Sequence, residues 1–142
     1  MREATVFDTE RLIAWMRELW LTDAVPFNET LSRQGLAELL ANRSLGRVWI
    51  FEDAGYLVLT FGFSLEFGGR DAFIDEFFIA APHRGKGLGS AMLDQVAGKA
   101  ANLGVNAIHL EVADTNERAE ALYTRLNFRR HHRRLMTRWL NT

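Results

Sequence analysis

Between His83 and Met92 the chain reads HRGKGLGSAM. Gly85, Gly87 and Gly89 alternate with Lys86 and Leu88, Arg84 stands in front, and an apolar stretch that favours helix follows. A glycine-rich turn opening a helix is suited to binding phosphate. The free N–H groups of the first helical turn point outward and the helix dipole favours an anion there. Arg84 and Lys86 add positive charge, and the glycines let a ligand lie against main chain. A Walker A loop is excluded, because Lys86 precedes the last glycines and no G-K-[ST] occurs. A dinucleotide fingerprint fits poorly, because its third glycine would fall on Ser90.

The elements that must hold this loop follow from periodicity. Leu12, Ile13, Met16, Leu19 and Trp20 form a helical stripe over Thr9 to Leu21, with Asp8 or Thr9 as its cap. A second helix is expected from Glu29 to Ala41, with VPFN as the joint between the two. RVWIFEDAGYLVLTFGF reads as strand, turn and strand, with Gly55 free to take positive φ in the turn. FGGRD turns again into the strand AFIDEFFIA, so the middle of the chain is an antiparallel meander. After the glycines comes a helix that Gly104 ends, then the short buried strand NAIHLEV and a helix from Glu117 to Leu126. FRRHHRRLMTRWL reads as one or two final strands. The expected fold is α/β (α+β), a mixed, mostly antiparallel central sheet of six to seven strands with helices on both faces.

Composition narrows the classes. The 142 residues suit one domain over 1–142, and 48% hydrophobic content can fill one core. There is no cysteine, so disulfides, thiolate metal sites and a cysteine nucleophile are excluded. A net charge of −1 supplies no global field for nucleic acid. The run RRHHRR at Arg129–Arg134 would be split between the two faces of a strand, so a solvated terminal strand is preferred to an RNA-binding surface. His131 and His132 are neighbours, and His83 and His109 lack partners at ligand spacing; no metal is expected. MREATVFDTERL is charged too early for a secretory signal, and no apolar run nears the about 18 residues of a membrane span, so a soluble, cytoplasmic protein without membrane contact is expected.

The pattern R-x-x-G-x-G, from Arg84 to Gly89, resembles the acetyl-CoA pyrophosphate loop of the GNAT N-acetyltransferase superfamily. FFIAAPHRGKGLG also has that superfamily's form of an apolar strand running to a proline before the loop. A second signature follows at the expected separation. LEVADTNERAEALYTRLNF places Asn116, Ala119, Leu122, Tyr123 and Phe128 on N-x-x-A-x-x-[LF]-Y-x-x-x-G-F, departing only at Asn127, where glycine is usual. Asparagine tolerates the left-handed conformation, so the helix can still end there. The likeness covers about half of the chain, from Phe73 to Leu140.

The resemblance implies an acetyl-CoA-dependent N-acetyltransferase whose fourth and fifth strands splay to admit pantetheine. Phe77, Phe78, Ile79 and Ala80 would contact that arm through main chain, with an N–H near Phe77 or Phe78 facing the thioester oxygen. Arg84, Gly85, Lys86, Gly87, Leu88, Gly89 and Ser90 would hold the diphosphate, and Asn116, Ala119 and Tyr123 would flank the arm from the other side. An alkylamine is protonated at neutral pH, with a pKa of about 10.4, so a base must take its proton. IDEFFI is similar to the EDFFV type of polyamine acetyltransferases, which makes Asp75 and Glu76 candidates. Adjacent strand residues point to opposite faces, so one of them is expected to reach the acceptor; Glu76 is favoured because its parity matches Phe78 and Ile74. A tyrosine at the position of Tyr123 serves the superfamily as general acid: a phenol of pKa about 10 can protonate a thiolate whose conjugate acid lies near 8.5.

With no cysteine to carry an acetyl group, direct attack in a ternary complex is expected. The joint VPFN borders the acceptor pocket in the superfamily, so Phe27 is a candidate there, with Glu66, Glu76 and Glu111 as carboxylates suited to a small cationic amine. Alternatives are a non-catalytic acyl-CoA-binding regulator and a protein N-terminal or lysine acetyltransferase. Dimerisation is common in the superfamily, so a homodimer is admitted.

Overall fold

In the computed structural model, which describes residues 1–141, the stripe of Leu12, Ile13 and Met16 folds as helix α1 (Thr9–Thr22). Asp8 does not cap α1 with its side chain. Its carboxylate accepts from the Thr5 N–H at 2.8 Å and pairs with Arg2 at 2.7 Å, closing the 3₁₀ turn Val6–Asp8. Helix α2 (Glu29–Ala41) keeps its expected bounds, because Asn28, the last residue of VPFN, accepts from the Leu31 N–H at 3.1 Å.

Strands β1 (Arg2–Glu3), β2 (Gly46–Phe51), β3 (Gly55–Ser64), β4 (Gly69–Ile79) and β5 (Ala107–His109) form one sheet in chain order. The first three pairings are antiparallel and β4–β5 is parallel. On one face Leu12, Ile13 and Met16 of α1 and Leu36 of α2 cover Val48, Ile50, Tyr56, Val58 and Phe78. Trp49, Leu57 and Leu59, of opposite parity, are buried on the other face. Helix α3 (Leu88–Asn102) contacts β4 and buries Met92, Leu93 and Val96. It ends as expected at Gly104, φ 79°, where Gly104 N–H donates to Ala101 O and Val105 N–H to Ala100 O, the paired bonds of a Schellman stop.

Gly55 has a different purpose from the expected one. The β2–β3 turn takes its positive φ at Glu52 (45°), whereas a Cβ on Gly55 would sit 2.0 Å from the Phe78 carbonyl oxygen. Gly55 therefore allows β3 and β4 to approach.

Residues to Glu111 form one compact unit, and a second begins at Val112. In the second, α4 (Glu117–Arg125) ends at Asn127, φ 66°, with Asn127 N–H to Thr124 O and Phe128 N–H to Tyr123 O, both at 3.0 Å. Asparagine thus makes the left-handed stop that glycine usually makes. The expected final strands do not form: among the described residues the sheet has five strands, not six or seven, and residues 128–141 carry none. Leu135–Met136 and Trp139–Leu140 are adjacent pairs, so no single strand face would gather them, and all four are exposed. The strand expected at 106–112 shortens to Ala107–His109.

Candidate active site

The pairing of β3 with β4 slips by one residue. Val58 opposes Glu76 but Leu59 opposes Ile74, which leaves Asp75 as an extra, bulged residue. Two expectations change. Glu76 shares a face with Phe78, as expected, but not with Ile74, which lies across from Leu59 on the opposite face. In addition, alternation no longer separates the two carboxylates. Asp75 and Glu76 both line one hollow of about 230 Å³, together with Leu19, Trp20, Asp23 and Val25.

The hollow is acidic; Glu76 is half-buried at it and Asp75 is exposed. Burial pushes the Glu76 carboxyl above the ordinary glutamate range, and the negative charges of Asp75 and Asp23 push the same way. Two donors oppose this: Trp20 Nε1 bonds one Glu76 oxygen at 2.5 Å and the Tyr56 hydroxyl bonds the other at 3.3 Å. Desolvation by the surrounding protein also raises Asp75, although part of that residue is exposed at the surface. Tyr56 is itself buried, and burial together with the charge of Glu76 pushes its phenol strongly upward, so it stays a protonated donor.

Beyond the bulge, one edge of β4 is unpaired among the described residues. Its ladder with β5 ends where Phe73 meets His109, and no described strand pairs with Ile74–Ile79 on that side. His109 Nε2 and Asp71 Oδ2 lie 3.1 Å apart across that short ladder. The edge contains Phe77, Phe78 and Ile79 and runs into Ala80, whose N–H bonds Ala54 O at 2.7 Å.

The glycine loop follows the 3₁₀ turn Ala81–His83. Gly85 and Gly87 both take left-handed φ, 74° and 75°, and a Cβ on either would meet nothing within 4 Å. These positions are open main chain, not packing contacts. Gly87 is the N-cap of α3, no side chain caps that end, and the first turn, with Leu88, Gly89 and Ser90, contains no acidic residue. This nest of open main chain at the N-terminus of α3 fits a diphosphate. Arg84 bends back: its Nε donates to Ile79 O at 2.7 Å and its guanidinium lies over the Phe78 ring. It ties the loop to the end of β4.

The second unit holds the remaining expected residues. Asn116 N-caps α4, its Oδ1 accepting from Ala119 N–H at 3.1 Å. Tyr123 lies on α4 with its ring 5.8 Å from that of Phe128, the apolar contact that accompanies the helix stop.

Three expected acceptor residues do not line the hollow. Phe27 packs edge-on against Trp20, ring centroids 5.5 Å apart, and so supports a wall from behind. Glu66 and Glu111 are exposed outside it. Sequence reading missed Asp23, Trp20 and Tyr56. Trp20 continues the stripe of α1 and counts there as core, although a half-buried indole N–H needs an acceptor, which was the available signal.

The chain belongs to the Acetyltransferase (GNAT) family, whose pattern it matches over residues 11–128. Among curated proteins it is similar to the thialysine N-epsilon-acetyltransferase of Bos taurus, 33% identical over 72 residues, which are 51% of this chain and 42% of that protein. The chain thus spans less than half the length of this relative. Among solved structures it is similar to an integron cassette protein from the mobile metagenome of Cole Harbour salt marsh, with a TM-score of 0.86, 33% identity, and coverage of 99% of this chain and 90% of the other. A predicted acetyltransferase with acetyl-CoA from Clostridium acetobutylicum shares the fold, with a TM-score of 0.81, 18% identity and coverage of 96% and 94%. Among the described residues, no helix is long and apolar enough to cross a membrane.

Proposed function

We propose that the chain transfers the acetyl group of acetyl-CoA to a primary amine of a small cationic acceptor, by direct attack in a ternary complex. One observation carries this reading: a single run of chain, Asp75 to Ser90, contains two carboxylates at a hollow, a strand edge unpaired among the described residues and a nest of left-handed glycines. Bound acetyl-CoA would supply an acetyl thioester. The amides from Gly85 to Ser90, with Lys86, would hold the diphosphate, and main chain from Phe77 to Ala80 would hold the pantetheine arm at the free edge of β4.

The carboxylates do two things in this reading. Their charge favours an ammonium in the hollow, and Glu76, raised by burial, takes a proton from it to free the nitrogen lone pair. The nitrogen then bonds the acetyl carbon as the carbon–sulfur bond breaks. The leaving sulfur would take the phenolic proton of Tyr123, and the second proton shed by the nitrogen would restore that phenol through solvent, so the products are the acetylated amine, free coenzyme A and the proton that Glu76 passes to solvent. The kinship with a thialysine N-epsilon-acetyltransferase accords with an amine acceptor.

The test is a panel of amines with acetyl-CoA, read by release of free thiol. Amine-dependent release is expected, with Tyr123→Phe lowering turnover about 100-fold while coenzyme A affinity stays unchanged. Thiol release from no amine, with no calorimetric binding of coenzyme A at millimolar concentration, would refute the proposal. Binding without turnover would indicate a regulator instead.

A further inference from the structure

The proposed reaction transfers no proton through the two hydrogen bonds that reach Glu76, and so leaves them without an assigned purpose. Each donor engages a different oxygen, Trp20 Nε1 bonding Oε2 and the Tyr56 hydroxyl bonding Oε1. Both donors are themselves braced. Tyr56 is fully buried and stacks on Trp15, with ring centroids 6.0 Å apart and planes 6° apart, and it also touches Phe78. Trp20 is held edge-on by Phe27. A carboxylate oxygen can accept two hydrogen bonds, so each Glu76 oxygen keeps an accepting position for the hollow it lines.

We infer that Trp20 and Tyr56 are positioning residues that clamp the Glu76 carboxylate in one orientation, leaving its remaining lone pairs to the acceptor nitrogen. This rests on Glu76 being the base of the proposed reaction. A free glutamate side chain samples many rotamers, and those aimed elsewhere remove base from the reacting position. Electrostatics gives the clamp a second consequence. The other titratable groups facing Glu76 are Asp75 on β4, Asp23 at the end of α1 and Tyr56 on β3. Burial and the charges of the two aspartates favour a proton on Glu76, which would silence it as a base. The indole and phenol donors act against that and favour the ionised form.

The test is an NMR titration of Glu76 in protein labelled with 13C at glutamate carboxyls, assigned with Glu76→Gln, alongside the pH dependence of kcat/KM. Trp20→Phe removes a donor to a charged group, so the Glu76 titration is expected to move upward by roughly one pH unit. Tyr56→Phe removes one oxygen and keeps the ring; it is expected to move the titration the same way by less, because its bond is longer. The acidic limb of kcat/KM should shift equally, with kcat falling several-fold more than KM changes. A purely structural pair of residues would lower the melting temperature without moving the titration. That result in the folded Tyr56→Phe protein, or in both variants, overturns the inference. The NMR readout needs no turnover. A shifted titration in a protein that acetylates nothing would refute the proposed reaction and keep the clamp; an unshifted one in an active enzyme would refute only the clamp.

Discussion

Replacing Gly87 by alanine separates conformational strain from steric clash. A Cβ there meets nothing within 4 Å, so no neighbour has to move. The backbone, however, sits at φ 75°, where an L-residue is disfavoured by about 1–2 kcal/mol. The free protein escapes that strain by letting the exposed loop relax, which turns the N–H groups away from the nest. Binding must then restore the strained form, so coenzyme A affinity should fall by about 5- to 30-fold, the equivalent of 1–2 kcal/mol. The melting temperature should hardly move. Gly87→Asn should cost less and Gly87→Val more, because asparagine tolerates this region and β-branched residues do not. Gly98, inside α3, is the control: its Cβ also meets open space, but no positive φ applies, so Gly98→Ala should stabilise by about 0.5–1 kcal/mol with affinity unchanged. Calorimetry with coenzyme A and thermal melts provide both readouts. Wild-type affinity in Gly87→Ala would refute the nest, and so would an affinity loss accompanied by a collapse in melting temperature.

Gly55→Ala should be far more harmful, because its Cβ falls 2.0 Å from the Phe78 carbonyl oxygen in a paired strand; a loss above about 4 kcal/mol, read by denaturant melts, is expected. Asp8 is held well below the ordinary aspartate range by its hydrogen bonds from Arg2 and then by the Thr5 N–H, against burial. A depressed folded value stabilises above the unfolded value of about 3.9 and is lost as pH falls toward the folded one, so the melting-temperature gap between wild type and Asp8→Asn should be constant from about pH 7 to 5 and close below about pH 4. Deleting the bulged Asp75 should make the β3–β4 ladder regular with Glu76 still opposite Val58 and Ile74 still opposite Leu59. The variant should fold, shown by circular dichroism, and should raise KM for a cationic amine about 10-fold by removing one charge from the hollow.

Local signals were legible in the sequence. The caps and stops of α2, α3 and α4 depend on residues within one turn: Asn28, Gly104 and Asn127 each act through their own neighbours. The glycine loop was legible for the same reason. What escaped was set by distant partners. Gly55 reads as a turn glycine until Phe78 is placed beside it. Residues 128–141 have strand-forming types, but a strand needs an edge and a consistent face, and Leu135–Met136 and Trp139–Leu140 break the alternation.

The bulge at Asp75 is the sharpest case, because it made a sound rule give a wrong answer. Alternation assigns Asp75 and Glu76 to opposite faces only while the ladder is unbroken. One unpaired residue rotates everything upstream by half a period relative to everything downstream. Hence Ile74 packs with Leu59 and Ala72 on one side, while Glu76 and Phe78 stay with Val58 and Tyr56 on the other. The slip gives up regular ladder pairing at Asp75. In exchange it brings a second carboxylate to the hollow, next to the end of α1 that contributes Trp20 and Asp23. A regular strand could present only one acid there, and a cationic acceptor would meet half the charge from β4. The irregularity therefore belongs to the site, and the same residue that defeats a parity argument is the one to delete when testing it.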